Sequence, residues 1–395
     1  MHNFRMTPRA VVLMLASGLV APAAAQSDPA GFDTVFNIGT VPPGSIFDVP
    51  GAVTGTLIGD GDIFVGDAFV TPAFLFGDTL GSDSQLNLFD GGTIFSLFSA
   101  GPIDGSGSNV EVNISGGSVG SGFAANSGST VNISGGSVSS GFTANSGSAV
   151  NVSGGSVGSD FDANSGSTVN ISGGSVGSFF NANSASTVNI SGGSVGNDAN
   201  AFSGSTVNVS GGFVGNFFDA NSGSTTNISG GLVGTNFDAF SGTTVNISGG
   251  SVDAGFNANS GSTVHISGGA VGSDFDAFSG SKVNVSGGTV GEMFAAFTDS
   301  TVNLFGTSFF LDGAELTELV LGEAFTIADR DVTLTGILAD GSAFDFDLNT
   351  SLTDSVVFGN DFFDTNAVLT VTLVPTPGAA AALVLGGFVA ARRHR

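Results

Sequence analysis

Hydrophobic and polar residues alternate along the middle of the chain in short stretches separated by small residues. In Thr130-Val131-Asn132-Ile133-Ser134 the apolar side chains lie two residues apart, and so do Phe142 and Ala144. This spacing predicts β-strands with one buried face. The pair Gly135-Gly136 follows the first strand and predicts a turn before Val138. No stretch has helical spacing, so the pattern predicts an all-β protein.

The alternating pattern recurs every 19 residues without a slip, with the consensus VNISGGSVGSDFDANSGST. We number its positions one to nineteen. Units begin at Val112, Val131, Val150, Val169, Val188, Val207, Thr226, Val245, Val264 and Val283, and a degenerate unit begins at Val302. Three short strands and three turns are too little for an independent domain, but they suffice for one coil of a stack. The sequence therefore predicts a parallel β-solenoid of about eleven coils, right-handed as parallel crossovers generally are.

The columns of the repeat predict which side chains point inward. Positions one, three, eight, twelve and fourteen carry Val, Ile, Val, Phe and Ala and form the predicted core. Position twelve is Phe except at Ala199, where we expect Phe202 to supply the missing ring. Positions nineteen, two, four and thirteen are predicted to face outward.

Changes in residue pattern along the chain predict five segments. These are a signal peptide at 1–25, an N-terminal β cap at 26–85, the solenoid at 86–311, a C-terminal β cap at 312–374 and a sorting or membrane segment at 375–395. Within the C-terminal cap, Asp340-Gly341 predicts a hairpin turn between two alternating strands. Caps are expected because open strand edges aggregate.

Charge and composition narrow the function. The chain has 33 acidic and 7 basic residues and a net charge of −26, and its only basic residues outside the terminal tails are Lys282 and Arg330. Such a surface excludes nucleic acid as a partner, because phosphate binding needs a basic footprint. The chain has no Cys, so neither disulfides nor thiolate chemistry are available.

The N-terminal residues have the pattern of a secretory signal. Arg5 and Arg9 precede a short apolar run, and Ala23, Ala24 and Ala25 offer a cleavage site before Gln26. The pattern predicts export across the inner membrane by the secretion machinery.

The C-terminal residues have the pattern of a second targeting signal. Val374, Pro375 and Pro377 precede a short apolar run, which ends at Arg392 and Arg393. The arrangement resembles the PEP-CTERM sorting signal of Gram-negative bacteria, with Thr376 where that family has Glu. The resemblance implies an exosortase-type processing enzyme, transient inner-membrane anchoring, and delivery to the cell surface or extracellular matrix beside exopolysaccharide. The repeat body resembles autotransporter and pectin-lyase-like β-helices.

Few residues offer chemistry. His265 stands in the outward Asn column and is predicted to be a surface substitution. A lyase would need Lys282 or Arg330 beside its substrate, and these lie in different segments. We therefore predict no enzyme and no cofactor; calcium is the one ion with candidate ligands, Asp219 and Asp238, on neighbouring coils.

The outward face of the first strand is the predicted ligand face. It presents Thr and Asn in columns, represented by Thr130, Asn132, Thr168, Asn170, Thr187, Asn189, Thr206 and Asn208. Two interpretations remain open, a binding lattice for glycan or ice and a solvent face whose Asn and Thr bond to one another. The sequence thus predicts a surface spacer or adhesin, with a polysaccharide-active enzyme or a glycan- or ice-binding module as alternatives.

Overall fold

The protein is a parallel β-solenoid, and among the described residues it contains no α-helix. The structure is a computed structural model and describes residues 31–40, 53–59, 62–65, 68–70, 79–351 and 360–375. Its strands form two sheets, which we call sheet A and sheet B. The prediction of an all-β parallel solenoid is confirmed.

Sheet A contains the first two strands of every coil, and from the fourth repeat onward these two merge into a single nine-residue strand. The strands of sheet A are Thr34–Ile38, Val53–Gly59, Asp62–Val65, Ala68–Val70, Ser84–Leu88, Thr93–Ile94, Val110–Ile114, Ser118–Val119, Ser129–Ile133, Ser137–Val138, Ala149–Val152, Ser156–Val157, Thr168–Val176, Thr187–Val195, Thr206–Val214, Thr225–Val233, Thr244–Val252, Thr263–Val271, Lys282–Val290, Thr301–Leu311, Ala314–Glu315, Ala324–Thr326, Thr333–Leu338, Ala343–Asp347 and Val368–Leu373.

Sheet B contains the third strand of every coil, formed by positions thirteen and fourteen. Its strands are Thr79–Leu80, Ser99–Ala100, Ala124–Ala125, Thr143–Ala144, Asp162–Ala163, Asn181–Ala182, Asn200–Ala201, Asp219–Ala220, Asp238–Ala239, Asn257–Ala258, Asp276–Ala277, Ala295–Ala296 and Phe362–Phe363.

Outside the Gly-Gly segment, each repeat pairs with the next in register, so that each of these columns holds one structural position. Val131 pairs with Val112 and with Val150, and Ala144 pairs with Ala163. Rungs of this kind are spaced roughly 4.8 Å apart. Identical side chains are therefore stacked along the rod.

The Gly-Gly pair is not a simple turn throughout the stack. In the repeats up to Ser156–Val157 a bend separates the first two strands. From Thr168–Val176 onward the strand runs through the pair, with register shifts between Ile171 and Ser175. The predicted interruption is therefore wrong for these later coils, where the two glycines form a bulge.

The inward columns form one core along the length of the rod. Phe123, Phe142 and Phe161 at position twelve are at most 1% exposed, and the centroids of successive rings are 5.0 and 4.6 Å apart. The ladder is interrupted at Ala199, which is 3% exposed. The expectation that Phe202 fills this gap is wrong, because Phe202 lies at the surface and is 37% exposed.

The parallel stack extends beyond the predicted repeats at its N-terminal end. Thr34–Ile38 pairs in parallel with Ser84–Leu88, which pairs in turn with Val110–Ile114. The predicted boundary at residue 86 therefore falls inside a strand of the stack. A coil needs only inward apolar residues and outward polar ones, so it does not need the 19-residue consensus.

The C-terminal residues close the stack. Val368–Leu373 adds a last parallel rung to Thr301–Leu311, and Phe362–Phe363 does so for sheet B. The predicted hairpin is confirmed, since Thr333–Leu338 and Ala343–Asp347 pair antiparallel. Thr333–Leu338 also pairs antiparallel with the end of Thr301–Leu311. The hairpin thus covers part of the final coil.

Candidate functional site

The predicted ligand face lies on the outer side of sheet A, where its side chains form straight columns. Thr168 pairs with Thr187, which pairs with Thr206, and the Asn column beside them is in the same register. The structure therefore brings the predicted Thr and Asn residues together in two parallel rows.

The Asn residues of this face bond to one another rather than standing free. Asn132 donates its amide N–H to Asn113 Oδ1 at 2.9 Å, and Asn151 donates to Asn132 Oδ1 at 2.8 Å. The same bond recurs on successive coils from Asn37 to Asn246. Asn132 is only 5% exposed. Of the two interpretations of this face, the amide ladder favours the structural one.

His265 interrupts the amide ladder. It pairs in register with Asn246 on one side and Asn284 on the other. The Asn284 amide lies 3.3 Å from His265 Nδ1, and this contact is a hydrogen bond when that ring nitrogen accepts. Partial burial, and then the neighbouring Lys282, lower the pKa of His265. His265 is exposed, as predicted for a surface substitution.

The two predicted calcium ligands are direct neighbours in sheet B. Asp219 pairs in register with Asp238 at position thirteen. Burial raises the pKa of Asp219, and the charges of Asp238 and Asp198 raise it further. Over the part of the chain that the structure describes, no three acidic or histidine side chains are arranged to hold a metal ion.

Asn residues at position thirteen donate hydrogen bonds to two of the carboxylates in the same column. Asn181 donates to Asp162 Oδ1 at 2.9 Å, and Asn257 donates to Asp238 Oδ1 at 2.7 Å. Alternation of Asn and Asp therefore gives these carboxylates a donor from the next coil.

Arg330 has a structural role that its isolation in the sequence does not reveal. Its guanidinium donates to the backbone oxygens of Ile327, Asp329, Asp364 and Ala367 at 2.7 to 3.3 Å. The side chain joins the segment before the hairpin to the last coil. Its donors are directed at the protein's own backbone, an arrangement unsuited to binding an acidic sugar.

A cavity that the sequence did not predict lies between the last coil and the hairpin. It has a volume of about 420 Å³, and the acidic residues that line it are Glu292, Asp345, Asp347 and Asp361. Asp361 is only 6% exposed and accepts hydrogen bonds from the backbone N–H of Phe294 at 2.8 Å and of Asp347 at 3.2 Å.

Burial raises the pKa of Asp361 to about 7, and Asp347 and Asp345 also raise it, although the two N–H donors oppose the shift. A carboxyl group with such a pKa can give or take a proton near neutral pH. Sequence reasoning missed this site because its residues come from separate segments that meet only when the hairpin folds over the stack. The one signal in the sequence is that Asp361 directly precedes the apolar residue Phe362.

The residues of the two predicted targeting signals, the N-terminal secretory signal and the C-terminal sorting signal, lie mostly outside the described residues. Val374 is described and donates its N–H to Gly306 O at 2.8 Å, and Pro375 follows it. Pro377, Arg392 and Arg393 lie outside the described residues, as do Ala23, Ala25 and Gln26. Among the residues that the structure describes, no helix has the length and apolar character to span a membrane.

Comparisons with known proteins give one structural likeness. No protein-family model and no curated protein matches the chain. A solved structure, the TibC-catalyzed hyper-glycosylated TibA55-350 fragment, matches with a TM-score of 0.45 and 21% identity, over 69% of this chain and 90% of that one. A likeness at this level does not extend to function. The fold and its surfaces define the chain as an acidic parallel β-solenoid.

Proposed function

We propose that the protein is an exported structural spacer and adhesin of the cell surface or extracellular matrix. The observation that carries the proposal is the constant register of the first strand, which repeats the outward Thr and Asn side chains from coil to coil along one rod. Repetition lets weak contacts act together, because each bound coil raises the effective concentration of the next. The amide ladder and the continuous core stabilise the rod.

The proposed destination rests on the two terminal patterns. Residues 1–25 direct export, and the segment from Val374 to Arg393 directs sorting by an exosortase-type enzyme of a Gram-negative bacterium, with transient anchoring in the inner membrane. Exopolysaccharide is the proposed neighbour in the matrix.

Cell fractionation tests the destination. The full chain and a chain lacking residues 374–395 are expressed in the same exosortase-bearing host. We expect the full chain in the surface or matrix fraction and the shortened chain in the periplasm or medium. Equal distribution of the two chains would refute the sorting signal. Recovery of the full chain in the cytoplasm would refute the whole proposal.

A second candidate function is hydrolysis of a polysaccharide in the acidic cavity. The observation that favours it is the buried carboxyl group of Asp361 beside Asp345 and Asp347. Glycoside hydrolysis uses a proton-donating carboxyl group and a second carboxylate. Sugar release from matrix polysaccharides by the purified chain, abolished in Asp361→Asn, would replace the spacer by the enzyme. Absence of release leaves the spacer.

A further inference from the structure

Position eleven of the repeat forms a sharp corner on the edge of the rod. Its residues have left-handed backbone conformations, with φ between 57° and 80°. Gly122, Gly141 and Gly255 meet this requirement without strain, and Asp or Asn tolerates it. We call the residues in the middle of this column the edge column; they are Asp160, Phe179, Asp198, Phe217 and Asn236.

Two positions of the edge column carry phenylalanine, although neither the backbone conformation nor the solvent exposure there favours this residue. Phe179 has φ 60° and Phe217 has φ 59°, a conformation that bulky side chains disfavour. Each side chain is also 50% exposed. The rings therefore stabilise neither the backbone turn nor a fully buried core, and they stand on a surface where glycine or Asp serves the fold better.

The two rings are two rungs apart, which corresponds to roughly 9.6 Å along the rod. Asp198 occupies the corner between them. The neighbouring column of sheet B adds Asp219 and Asp238, and the charges of Asp198 and Asp238 both act on Asp219. The patch thus alternates aromatic faces with carboxylates, on a chain whose net charge is −26.

The backbone N–H groups of Phe179 and Phe217 at this corner already have hydrogen-bond acceptors within the protein. Phe179 N–H donates to Asn197 O at 3.0 Å, and Phe217 N–H donates to Thr235 O at 2.9 Å. A peptide that binds by adding a strand needs unpaired backbone groups, and these donors are used by the next coil. Recognition here must therefore go through side chains.

Aromatic faces attract cations, and carboxylates pair with them. Phenyl rings also offer flat apolar surfaces for the C–H faces of sugar rings. We propose that the edge column, together with the adjoining Asp219 of sheet B, binds a linear polysaccharide that carries free amino groups. Its sugar rings lie against Phe179 and Phe217, and its ammonium groups pair with Asp198 and Asp219. This inference rests on the proposed role as an adhesin and gives that role a partner of defined charge.

Titration calorimetry of the purified full chain tests the proposal, with a hexamer of glucosamine as the probe. The matched ligand is the fully N-acetylated hexamer, which has the same backbone and no charge. We expect binding of the glucosamine hexamer, weakened by salt, and at least tenfold weaker binding of the acetylated one. Equal binding of the two, or binding of neither, would overturn the proposal.

Variants separate the binding surface from the fold. Phe179→Gly with Phe217→Gly should weaken glucosamine binding about tenfold or more. The melting temperature should be no lower than that of the wild type, because glycine relieves the left-handed strain. Phe202→Ala removes an exposed ring outside the column and should leave binding unchanged. Unchanged affinity in the double variant would overturn the proposal.

A lysine hexamer tests the other polymer class. We expect it to bind more weakly than the glucosamine hexamer, because it offers charge without sugar rings. Tighter binding of the lysine hexamer would assign the column to a basic peptide instead. None of these measurements depends on sorting, so their failure is distinguishable from failure of the fractionation experiment.

Discussion

At the scale of the residue, a solenoid multiplies the effect of each side chain on its column. A substitution that fits the inward or outward class can still leave an unpaired group. Thr226 occupies the inward position one, where its register neighbours are Val207 and Val245. It is 0% exposed, and within the described part of the chain its hydroxyl has no hydrogen-bond partner.

Replacing Thr226 by Val should therefore stabilise the protein. An unsatisfied buried hydroxyl costs about 1–3 kcal/mol, and Val restores the column. We expect a gain of about 1–2 kcal/mol in urea-induced unfolding followed by circular dichroism. The matched change Val207→Thr should lose a similar amount. A destabilised Thr226→Val would mean that the hydroxyl has a partner in solution.

His265 gives a second prediction at this scale. Asn at this position can donate to Asn246 and accept from Asn284, so His265→Asn should complete the ladder and add about 1 kcal/mol. The pKa of His265 is below its ordinary 6.5 in the folded state, so the unfolded chain binds the proton more readily.

The wild type should therefore lose stability as the pH falls through 6.5, and His265→Asn should lack this loss. The measurement is the difference in melting temperature between the two proteins from about pH 8 to about pH 5. A constant difference over that range would contradict the argument.

At the scale of the element, the sequence pattern predicts which residues of a coil point inward, but it does not predict how the strands connect or how distant segments pack. Alternation predicts inward Val, Ile, Phe and Ala, because burial follows directly from period two. It does not predict that Gly173-Gly174 continues a strand as a bulge, since a glycine pair is equally consistent with a turn. Nor does it predict the acidic cavity, which depends on packing between distant segments.

The second glycine of the pair should be irreplaceable for a packing reason. Gly174 has φ +68°, and a Cβ atom there would lie 2.6 Å from Gly154 C on the preceding coil. Gly313 has a similar φ of +77° but nothing within 4 Å. Gly313→Ala should cost about 1–2 kcal/mol of backbone strain. Gly174→Ala should cost clearly more in the same unfolding assay, and equal costs would refute the close approach.

Asp361 links the last coil to the hairpin and should make their junction sensitive to pH. Its pKa is raised from 3.8 to about 7, so the folded state holds a proton that the unfolded state releases. Stability from this group is present below pH 3.8 and is lost as the pH rises through 7. The charges facing it are Asp345, Asp347 and Glu292, which share its cavity.

The experiment compares the wild type with Asp361→Asn, so that the titration of every other group cancels. Asn leaves one of the two backbone N–H groups without its acceptor, which lowers stability at low pH. The free energy of unfolding of the variant should then increase relative to that of the wild type as the pH rises from about 4 to about 8. A difference that stays constant would place the pKa of Asp361 in its ordinary range.

At the scale of the whole molecule, a stack of equal coils is a nearly one-dimensional object. Each coil contacts the coils before and after it, so its stability is a sum over coils and junctions. The sequence determines this architecture strongly, because a 19-residue period without a slip repeats one junction many times. The closing segments have no such repetition, so the sequence predicts their hairpin but not how the hairpin and the last strand pair with Thr301–Leu311.

Removal of one whole coil should therefore leave a folded rod. Deleting 188–206 removes a full period and joins Thr187 to Val207, so every column keeps its register. The deletion also removes Ala199 and brings Phe180 next to Phe218, which makes the ring ladder continuous. Stacked rings contribute about 0.5–1.5 kcal/mol per pair, which offsets part of the lost coil. We expect a melting temperature within a few degrees of the wild type.

The matched deletion of 188–205 is one residue shorter and should behave very differently. A slip of one residue exchanges the inward and outward faces of a strand, so at the junction between the coil that ends at Thr187 and the coil that begins at Val207, Val and Ile would meet Asn and Ser. We expect loss of the cooperative transition, followed by circular dichroism and limited proteolysis. The two deletions differ by a single residue, so composition and length cannot explain a difference between them. If both fold equally well, register is not what holds the stack together.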